Sequence, residues 1–353
     1  MPHRVNRIFL ALLLFIPLSW YFAFTGNSML TFITSILAII PLARIIGHAT
    51  KEIALQANPT FGGLINATFG NVIELMIAFL ALSKGLIDLV EASIIGSIIG
   101  NILLLIGLSL FVGGLKHKEQ KFNQNSVGVS STMLIIAIAG LAIPTAFSLT
   151  GHATGAQIQI ISEIVAVVLA LTYIAGLIFS FKTHKHLFDA SDDIKAAKEK
   201  PTISMQKAAL ILLIATIAVA FESEFLVSQV EQIALSIGIT QMFIGVVIIA
   251  IVTNIAEKAN SVHFAIQNKI DLSIEIGLSS AIQIALFVVP VLVLVSHFLN
   301  YQFTLIFSVF EIIAMFLAVM IVNYLSADGK CNWLEGIQLI AVYLIIITAF
   351  YFI

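Results

Sequence analysis

Charged side chains are scarce in this chain, and their scarcity excludes a water-soluble fold. Only 10% of the 353 residues are charged and 60% are hydrophobic, whereas about 25% are charged in soluble globular domains. The single cysteine, Cys331, excludes an internal disulfide. Phosphate-binding loops and the HExxH and GxSxG motifs are also lacking, so no enzyme class is indicated. The net charge of −2 gives no reason to expect a nucleic-acid partner. The natural solvent of the chain is therefore a lipid bilayer.

Long apolar stretches are what the chain does contain. A helix that spans a bilayer needs about 20 mostly apolar residues. The sequence therefore predicts an all-α membrane protein with about 11 transmembrane helices. The predicted spans are 8–24, 29–52, 59–83, 87–114, 127–149, 157–181, 205–232, 240–266, 272–298, 303–325 and 333–353.

The N-terminal stretch resembles a signal peptide, because Arg4 and Arg7 precede an apolar run. Bulky aromatic residues occupy the place of a small-x-small cleavage site, which favours a retained first helix. A cytoplasmic N-terminus then puts almost all basic residues on the cytoplasmic side, with Lys84 alone outside and only Arg44 and Lys258 within spans away from the span ends. This asymmetry is what the positive-inside rule requires. It predicts that the C-terminus lies outside.

An internal repeat relates the two halves of the chain. The stretch "FGGLINATFGNVIELMIAFLALSKGLIDL" from residue 61 aligns without a gap with "IGVVIIAIVTNIAEKANSVHFAIQNKIDL" from residue 244. The matching positions are Gly62 with Gly245, Asn71 with Asn254, Glu74 with Glu257, Asp88 with Asp271 and Ser97 with Ser280.

The repeat predicts a domain organisation. Because the eighth span comes five spans after the third, the two copies run in opposite directions, as in many secondary transporters. We therefore expect two inverted five-helix repeats plus one extra N-terminal helix. The predicted segments are an extra transmembrane helix at 1–26, the first repeat at 27–182, a cytoplasmic polar linker at 183–203 and the second repeat at 204–353.

Acidic and amide side chains in the middle of these spans are the candidate site. A charge at that depth is costly unless it is paired or hydrated. A protonated carboxyl bonded to a neighbouring helix explains one such glutamate, but two aligned Asn-x-x-Glu pairs favour an ion site. Polar residues of the fourth and ninth spans either line this site or serve helix packing. The predicted ligands are Glu74, Glu257, Asn71, Asn254, Ser97, Asn101, Ser280 and Gln283.

The chemistry of these ligands indicates the transported ions. Hard oxygen ligands with two carboxylates suit Ca²⁺ better than zinc or copper. Two neighbouring buried carboxyls also hold protons readily. One divalent cation and two protons are then alternative occupants of one site, as an antiporter requires. We expect no cofactor apart from the transported Ca²⁺ and H⁺.

At these residues the chain resembles the Ca²⁺/H⁺ exchanger (CAX) family of the cation/Ca²⁺ exchanger superfamily. The resemblance is carried by "GGLINATFGNVIEL" at 62–75, "GSIIGNILLLIGLSLFVGGLK" at 96–116 and "NKIDLSIEIGLSSAIQIALFVVPVLV" at 268–293. It implies eleven helices, two inverted repeats and exchange of cytosolic Ca²⁺ for protons. It also implies that the acids at 74 and 257 bind the ion.

The second repeat departs from the family pattern, which usually has glycine at position 253 and histidine at position 258. This chain has Thr253 and Lys258 instead. Lys258 either forms a structural ion pair, with Glu222, Glu224 or Glu311 as candidate partners, or changes the ion preference. His263 is expected to be a hydrogen-bonded core histidine rather than a ligand.

The predicted function is therefore a secondary active antiporter that moves Ca²⁺ against H⁺ by alternating access. A Na⁺/Ca²⁺ or other cation exchanger of the same fold is the alternative, and a cation channel fits less well. We expect an integral protein of a prokaryotic plasma membrane, with Ca²⁺, protons and the lipid bilayer as partners. A homo-oligomer is compatible with the sequence.

Overall fold

The computed structural model describes residues 9, 11–57, 59–184 and 200–353. Nearly all of this part is helical, with two short strands, β1 (Glu119–Lys121) and β2 (Lys330–Asn332). In chain order the helices are α1 Phe15–Thr25, α2 Ser28–Gln56, α3 Pro59–Phe69, α4 Val72–Ser83, α5 Ile87–His117, α6 Gln124–Ser148, α7 Gly155–Thr183, α8 Met205–Ile237, α9 Gln241–Thr253, α10 Ile255–Ile266, α11 Ile270–Ser296, α12 Val309–Leu325 and α13 Trp333–Phe352.

The lengths of these helices are those of a membrane protein. Seven of them are long and apolar enough to span a bilayer, and α9 with α10 form one further broken span. Three shorter helices, α1, α4 and α12, are also apolar. The helices correspond in position to the predicted spans, although the number of crossings stays a prediction. Most of the predicted polar linker, 185–199, lies outside the described residues.

Two of the predicted spans are interrupted and do not form continuous helices. The third span stops at Phe69 and resumes at Val72, and the eighth is interrupted at Asn254. Asn71 (φ −112°, ψ 26°) and Asn254 (φ −96°, ψ 11°) both leave the helical region. Asparagine side chains compete with the helix for backbone hydrogen bonds, which favours a break at these positions. Asn71 therefore lies at the break and does not share a continuous helical face with Glu74.

Several helices contain a π-helical turn, which the sequence did not predict. In α5 it covers Gly100–Leu105, and in α11 it covers Ile284–Val288. The two turns fall on matching positions of the gapless alignment, since Asn101 aligns with Ile284. Such turns are rare and frequently occur at functional sites.

The chain divides into two compact units. Unit 1 contains Met1–Ser93, Lys198–Ala256 and Ile353, and unit 2 contains Ile94–Ala197 and Glu257–Phe352. Each unit takes helices from both predicted repeats. The compact units and the predicted repeats at 27–182 and 204–353 are therefore two different divisions of the chain.

In unit 1, α8 packs along α2 and also contacts α1 and α4. At one end of α2, the Glu52 carboxylate accepts hydrogen bonds from the Thr202 backbone N–H and hydroxyl, both at 2.8 Å. At the other end, the Ser28 hydroxyl contacts Gln232 Oε1 at 2.5 Å. Helices α2 and α8 therefore run antiparallel, with the end of α2 beside the start of α8.

In unit 2, three connections meet on one face. Strands β1 and β2 pair antiparallel, which joins the connection after α5 to the connection before α13. Gln120 of β1 donates to Asn268 Oδ1 at 3.0 Å, which adds the connection between α10 and α11. At another point of unit 2, the Thr145 hydroxyl at the end of α6 accepts from the Phe307 N–H at 2.9 Å. That contact joins the end of α6 to the connection after α11.

Candidate functional site

Glu74 lies at the start of a half-helix within unit 1. It belongs to the first turn of α4, directly after the break at Asn71, and both side chains are buried. The first turn of a helix carries a partial positive charge from its free backbone N–H groups, and this favours a carboxylate there. The break thus places a buried acid at a point where part of its charge is compensated.

The second break contributes an oriented amide to the same unit. Nδ2 of Asn254 donates to the Ala250 carbonyl at 3.2 Å and to the Thr253 hydroxyl at 3.0 Å. Both N–H groups of the amide are thereby used, so its other polar group is the carbonyl oxygen, the ligand type that Ca²⁺ prefers. The end of α9 packs against α4, the helix that carries Glu74. Thr253, the departure from the family pattern, therefore orients Asn254.

In unit 2, the structure brings predicted site residues of both repeats together. Asn101 Nδ2 on α5 donates to the Ser280 hydroxyl on α11 at 2.8 Å, and both side chains are buried. Ser97 lies one helical turn before Asn101 and is also buried. Its hydroxyl has no hydrogen-bond partner among the described residues. A buried hydroxyl without a protein partner calls for an explanation, and a bound ion or water is one.

The second acid, Glu257, mirrors Glu74 in its helix position. It lies in the first turn of α10, directly after the break at Asn254. Its side chain is only partly buried, as is that of Gln283 on α11. Lys258, the next residue, is buried. A buried lysine beside a candidate ion ligand is the strongest electrostatic departure of this chain from the family pattern.

Each candidate partner of Lys258 has other contacts in the structure. Glu222 Oε1 lies 2.8 Å from the Ser19 hydroxyl, and Glu224 forms an ion pair with Lys84 at 2.7 Å. Glu311 accepts from the Ser308 backbone N–H at 2.6 Å, at the start of α12.

His263 is hydrogen-bonded, as expected, but it is not a core residue. Its Nε2 lies 2.8 Å from Gln267 Nε2, and the side chain is exposed on α10. The prediction of a core position was wrong because α10 turns this face outward. Two features beside the candidate residues were not predicted: the helix breaks and the hydrogen bond that the Thr253 hydroxyl accepts from Asn254. The aligned asparagines were the sequence signal for the breaks.

Comparisons with known proteins identify the family of the chain. The family model described as sodium/calcium exchanger protein matches residues 27–182 and 207–352. The chain belongs to this exchanger family.

Relatives of this exchanger are similar to it over nearly their whole length. The Ca(2+)/H(+) antiporter of Aphanothece halophytica is 42% identical, with 98% of this chain and 97% of the relative covered. The Ca(2+)/H(+) antiporter ChaA of Bacillus subtilis is 40% identical, with 98% and 99% covered. The solved structure of native YfkE matches with a TM-score of 0.85 at 38% identity, covering 98% of this chain and 100% of YfkE. The resemblance to Ca²⁺/H⁺ exchangers is thus confirmed, and the exchanger is an integral membrane protein.

Proposed function

We propose that this exchanger is a secondary active antiporter that exports cytosolic Ca²⁺ in exchange for protons. The relatives named as Ca²⁺/H⁺ antiporters support the pair of ions. Ca²⁺ and protons are the cargo, and the proposal includes no resident cofactor and no catalysed chemical reaction.

The observation that carries the proposal is the matched position of the two acids. Glu74 and Glu257 each occupy the first turn of a half-helix that follows a break at an aligned asparagine. Half-helix termini at membrane depth are the usual ion-binding elements of secondary transporters. Two such carboxylates bind one Ca²⁺ when they are ionised, and they bind protons when the cation leaves. Because the protons and the cation use the same oxygens, each displaces the other.

The remaining predicted residues complete the oxygen ligands in this proposal. Ca²⁺ takes six to eight oxygen ligands. The amides and hydroxyls would supply neutral oxygens that do not compete for protons, so that the coupling depends on the two acids alone. These residues are Asn71, Asn254, Ser97, Asn101, Ser280 and Gln283.

Several features support inverted repeats as the basis of alternating access. The helix breaks and the two π-helical turns occur at matching positions of the alignment. The family model matches two separate stretches that nearly coincide with the predicted repeats. In alternating access, one part of the transporter moves against another around a fixed site, so that the site opens to each side in turn.

The connections of unit 2 support the proposed topology. In unit 2, the three connections joined around β1 and β2 all follow even-numbered predicted spans, and all carry lysines. Eleven crossings put these connections on the cytoplasmic side, with the N-terminus cytoplasmic and the C-terminus outside. Because bacterial relatives are so similar, we place the exchanger in a prokaryotic plasma membrane.

Exchange of Na⁺ for Ca²⁺ is the second candidate, since the matching family model is described by that activity. Uptake of radioactive calcium into proteoliposomes separates the two. We expect uptake when a proton gradient is imposed without Na⁺, and none when a Na⁺ gradient is imposed at equal pH on both sides. Uptake driven by Na⁺ alone would establish the second candidate. Uptake without any gradient of a counter-ion, with an electrical current, would indicate a channel.

A further inference from the structure

Glu222 is a buried acid that the proposed exchange does not use. It lies near the middle of α8, and its side chain is fully buried. A charge at this depth is costly, so an acid in this position calls for a partner or for a proton.

The partners of Glu222 come from the extra N-terminal helix. Its Oε1 lies 2.8 Å from the Ser19 hydroxyl and 3.2 Å from the Trp20 indole nitrogen, both on α1. The Trp20 ring packs on Phe221 and Phe225 of α8, with centroid distances of 5.1 and 5.9 Å. Packing of the Trp20 ring against Phe221 and Phe225 therefore holds its indole N–H against the Glu222 carboxyl.

The two contacts of the Ser19 hydroxyl indicate that the Glu222 carboxyl carries a proton. The Ser19 hydroxyl lies 2.7 Å from the Ile16 carbonyl and 2.8 Å from Glu222 Oε1. A hydroxyl has one hydrogen, and a backbone carbonyl can only accept. If Ser19 donates to Ile16, its contact with Glu222 requires a hydrogen on the carboxyl. The other carboxyl oxygen, Oε2, has no hydrogen-bond partner among the described residues.

No cation among the described residues compensates for a charge on Glu222. Helix α1 contains no charged side chain, and its one titratable group is the phenol of Tyr21. The Ser35 hydroxyl of α2 faces the carboxyl, but Arg44 comes more than two helical turns later, about 13 Å along the axis. Glu224 and Lys84 pair with each other. The other charged or titratable residues of the helices that pack on α8 are His48, Lys51 and Glu52 on α2 and Glu74 on α4.

We propose that Glu222 is a second proton-binding site, which keeps its proton throughout transport and joins α1 to α8 by donating it to Ser19. The proton stays because its loss leaves a buried carboxylate with no compensating cation beside it among the described residues. The site differs in this respect from Glu74 and Glu257, whose protons the proposed function exchanges for Ca²⁺.

Infrared difference spectroscopy of the purified protein tests the proton directly and does not depend on any transport activity. At neutral pH, the spectrum of the parent minus that of Glu222→Gln should show the carbonyl stretch of a protonated carboxyl. Glu224→Gln is the matched control, since this exposed acid two residues away is paired with Lys84. The spectrum of the parent minus that of Glu224→Gln should show the bands of an ionised carboxylate. Carboxylate bands in the Glu222→Gln difference would overturn the proposal.

Two further measurements test whether the proton stays and whether it joins the helices. Glu222→Gln should exchange Ca²⁺ at the parent rate with the parent pH profile, because glutamine resembles the protonated acid. A shifted pH profile, or loss of exchange in a folded variant, would show that this proton moves and would contradict the proposal. Ser19→Ala should lower the melting temperature, since the acid loses its acceptor. An unchanged melting temperature of Ser19→Ala, or failure of Glu222→Gln to fold, would also contradict it.

Discussion

Asn101 on α5 donates a hydrogen bond of 2.8 Å to Ser280 on α11, with both side chains buried. The two helices cross closely at this point because residue 277 is glycine. A Cβ atom at Gly277 would lie 2.9 Å from the Asn101 carbonyl oxygen and 2.7 Å from Ile106. The contact between Asn101 and Ser280 thus depends on the absence of a side chain one turn earlier on α11.

We therefore expect Gly277→Ala to push α11 away from α5. The backbone oxygen of Asn101 cannot move aside as a flexible side chain would, so overpacking should cost about 1–3 kcal/mol. Thermal unfolding in detergent measures this loss, and Ca²⁺ affinity should fall with it. Gly128→Ala on α6 is the control, because nothing lies within 4 Å of a Cβ atom there. Equal melting temperatures for the two variants would contradict the close crossing.

A second prediction concerns Thr253, whose hydroxyl accepts a hydrogen bond from the Asn254 amide. Thr253→Val removes this acceptor and keeps the shape of the side chain, so the amide loses part of its fixed orientation. We expect weaker Ca²⁺ binding with a protein that remains folded, whereas Thr253→Ser should bind as the parent does. Calcium titration of the three proteins measures the effect. Equal affinity of the valine and serine variants would show that Thr253 does not orient the site.

A third prediction concerns Lys258, which is buried next to Glu257. We expect it to serve as one half of a structural ion pair. Breaking such a pair from one side costs roughly 3–5 kcal/mol, because it leaves a buried charge uncompensated. Lys258→Met should therefore melt earlier, with little change in the Ca²⁺ affinity of the folded fraction.

A position of Lys258 beside the bound ion would give a different experimental result. If its ammonium group faces the bound ion, its removal should tighten Ca²⁺ binding, because a repelling charge is gone. Tighter binding without loss of stability in Lys258→Met would contradict the structural role. Lys84→Met is a useful comparison, since Lys84 forms an exposed pair with Glu224 and its loss should have little effect on stability.

A fourth prediction concerns how the reactivity of the Cys331 thiol depends on pH. It lies in β2, outside the spans, and burial raises the pKa of its thiol to about 12, with the neighbouring Glu335 and Asp328 charges adding to the shift. Only the thiolate reacts with alkylating reagents. The parent protein should therefore resist maleimide near neutral pH and react faster as the pH rises towards 12. Asn125→Cys, at an exposed position, should react readily at neutral pH. Equal labelling of the two proteins would contradict this.

The sequence was sufficient to predict where the helices lie, and the polar residues within them remain a predicted site. The apolar stretches are set by the thickness of the bilayer, so their positions follow from composition alone. The two acids were found because Glu74 and Glu257 align in register. The membership of the exchanger family, which the resemblance predicted, is confirmed by the relatives and by the YfkE structure.

Other features depend on tertiary contacts that leave no pattern in a single sequence. The aligned asparagines are a signal for the helix breaks, but asparagine also occurs within continuous helices, so it does not fix the break by itself. The contact of Glu222 with Ser19 joins residues more than half the chain apart. The exposure of His263 follows from how α10 packs. None of these features has a periodicity that a sequence argument can use.

Proton release on Ca²⁺ binding tests the central claim most directly. Ca²⁺ added to purified protein in weakly buffered solution should displace protons, which a pH indicator or calorimetry in two buffers can count. The parent should release protons, whereas folded Glu74→Gln and Glu257→Gln should bind Ca²⁺ poorly, release fewer protons and fail to exchange. Glu224→Gln should behave as the parent. Ca²⁺ binding without proton release, or full exchange by either site variant, would contradict the shared two-carboxylate site.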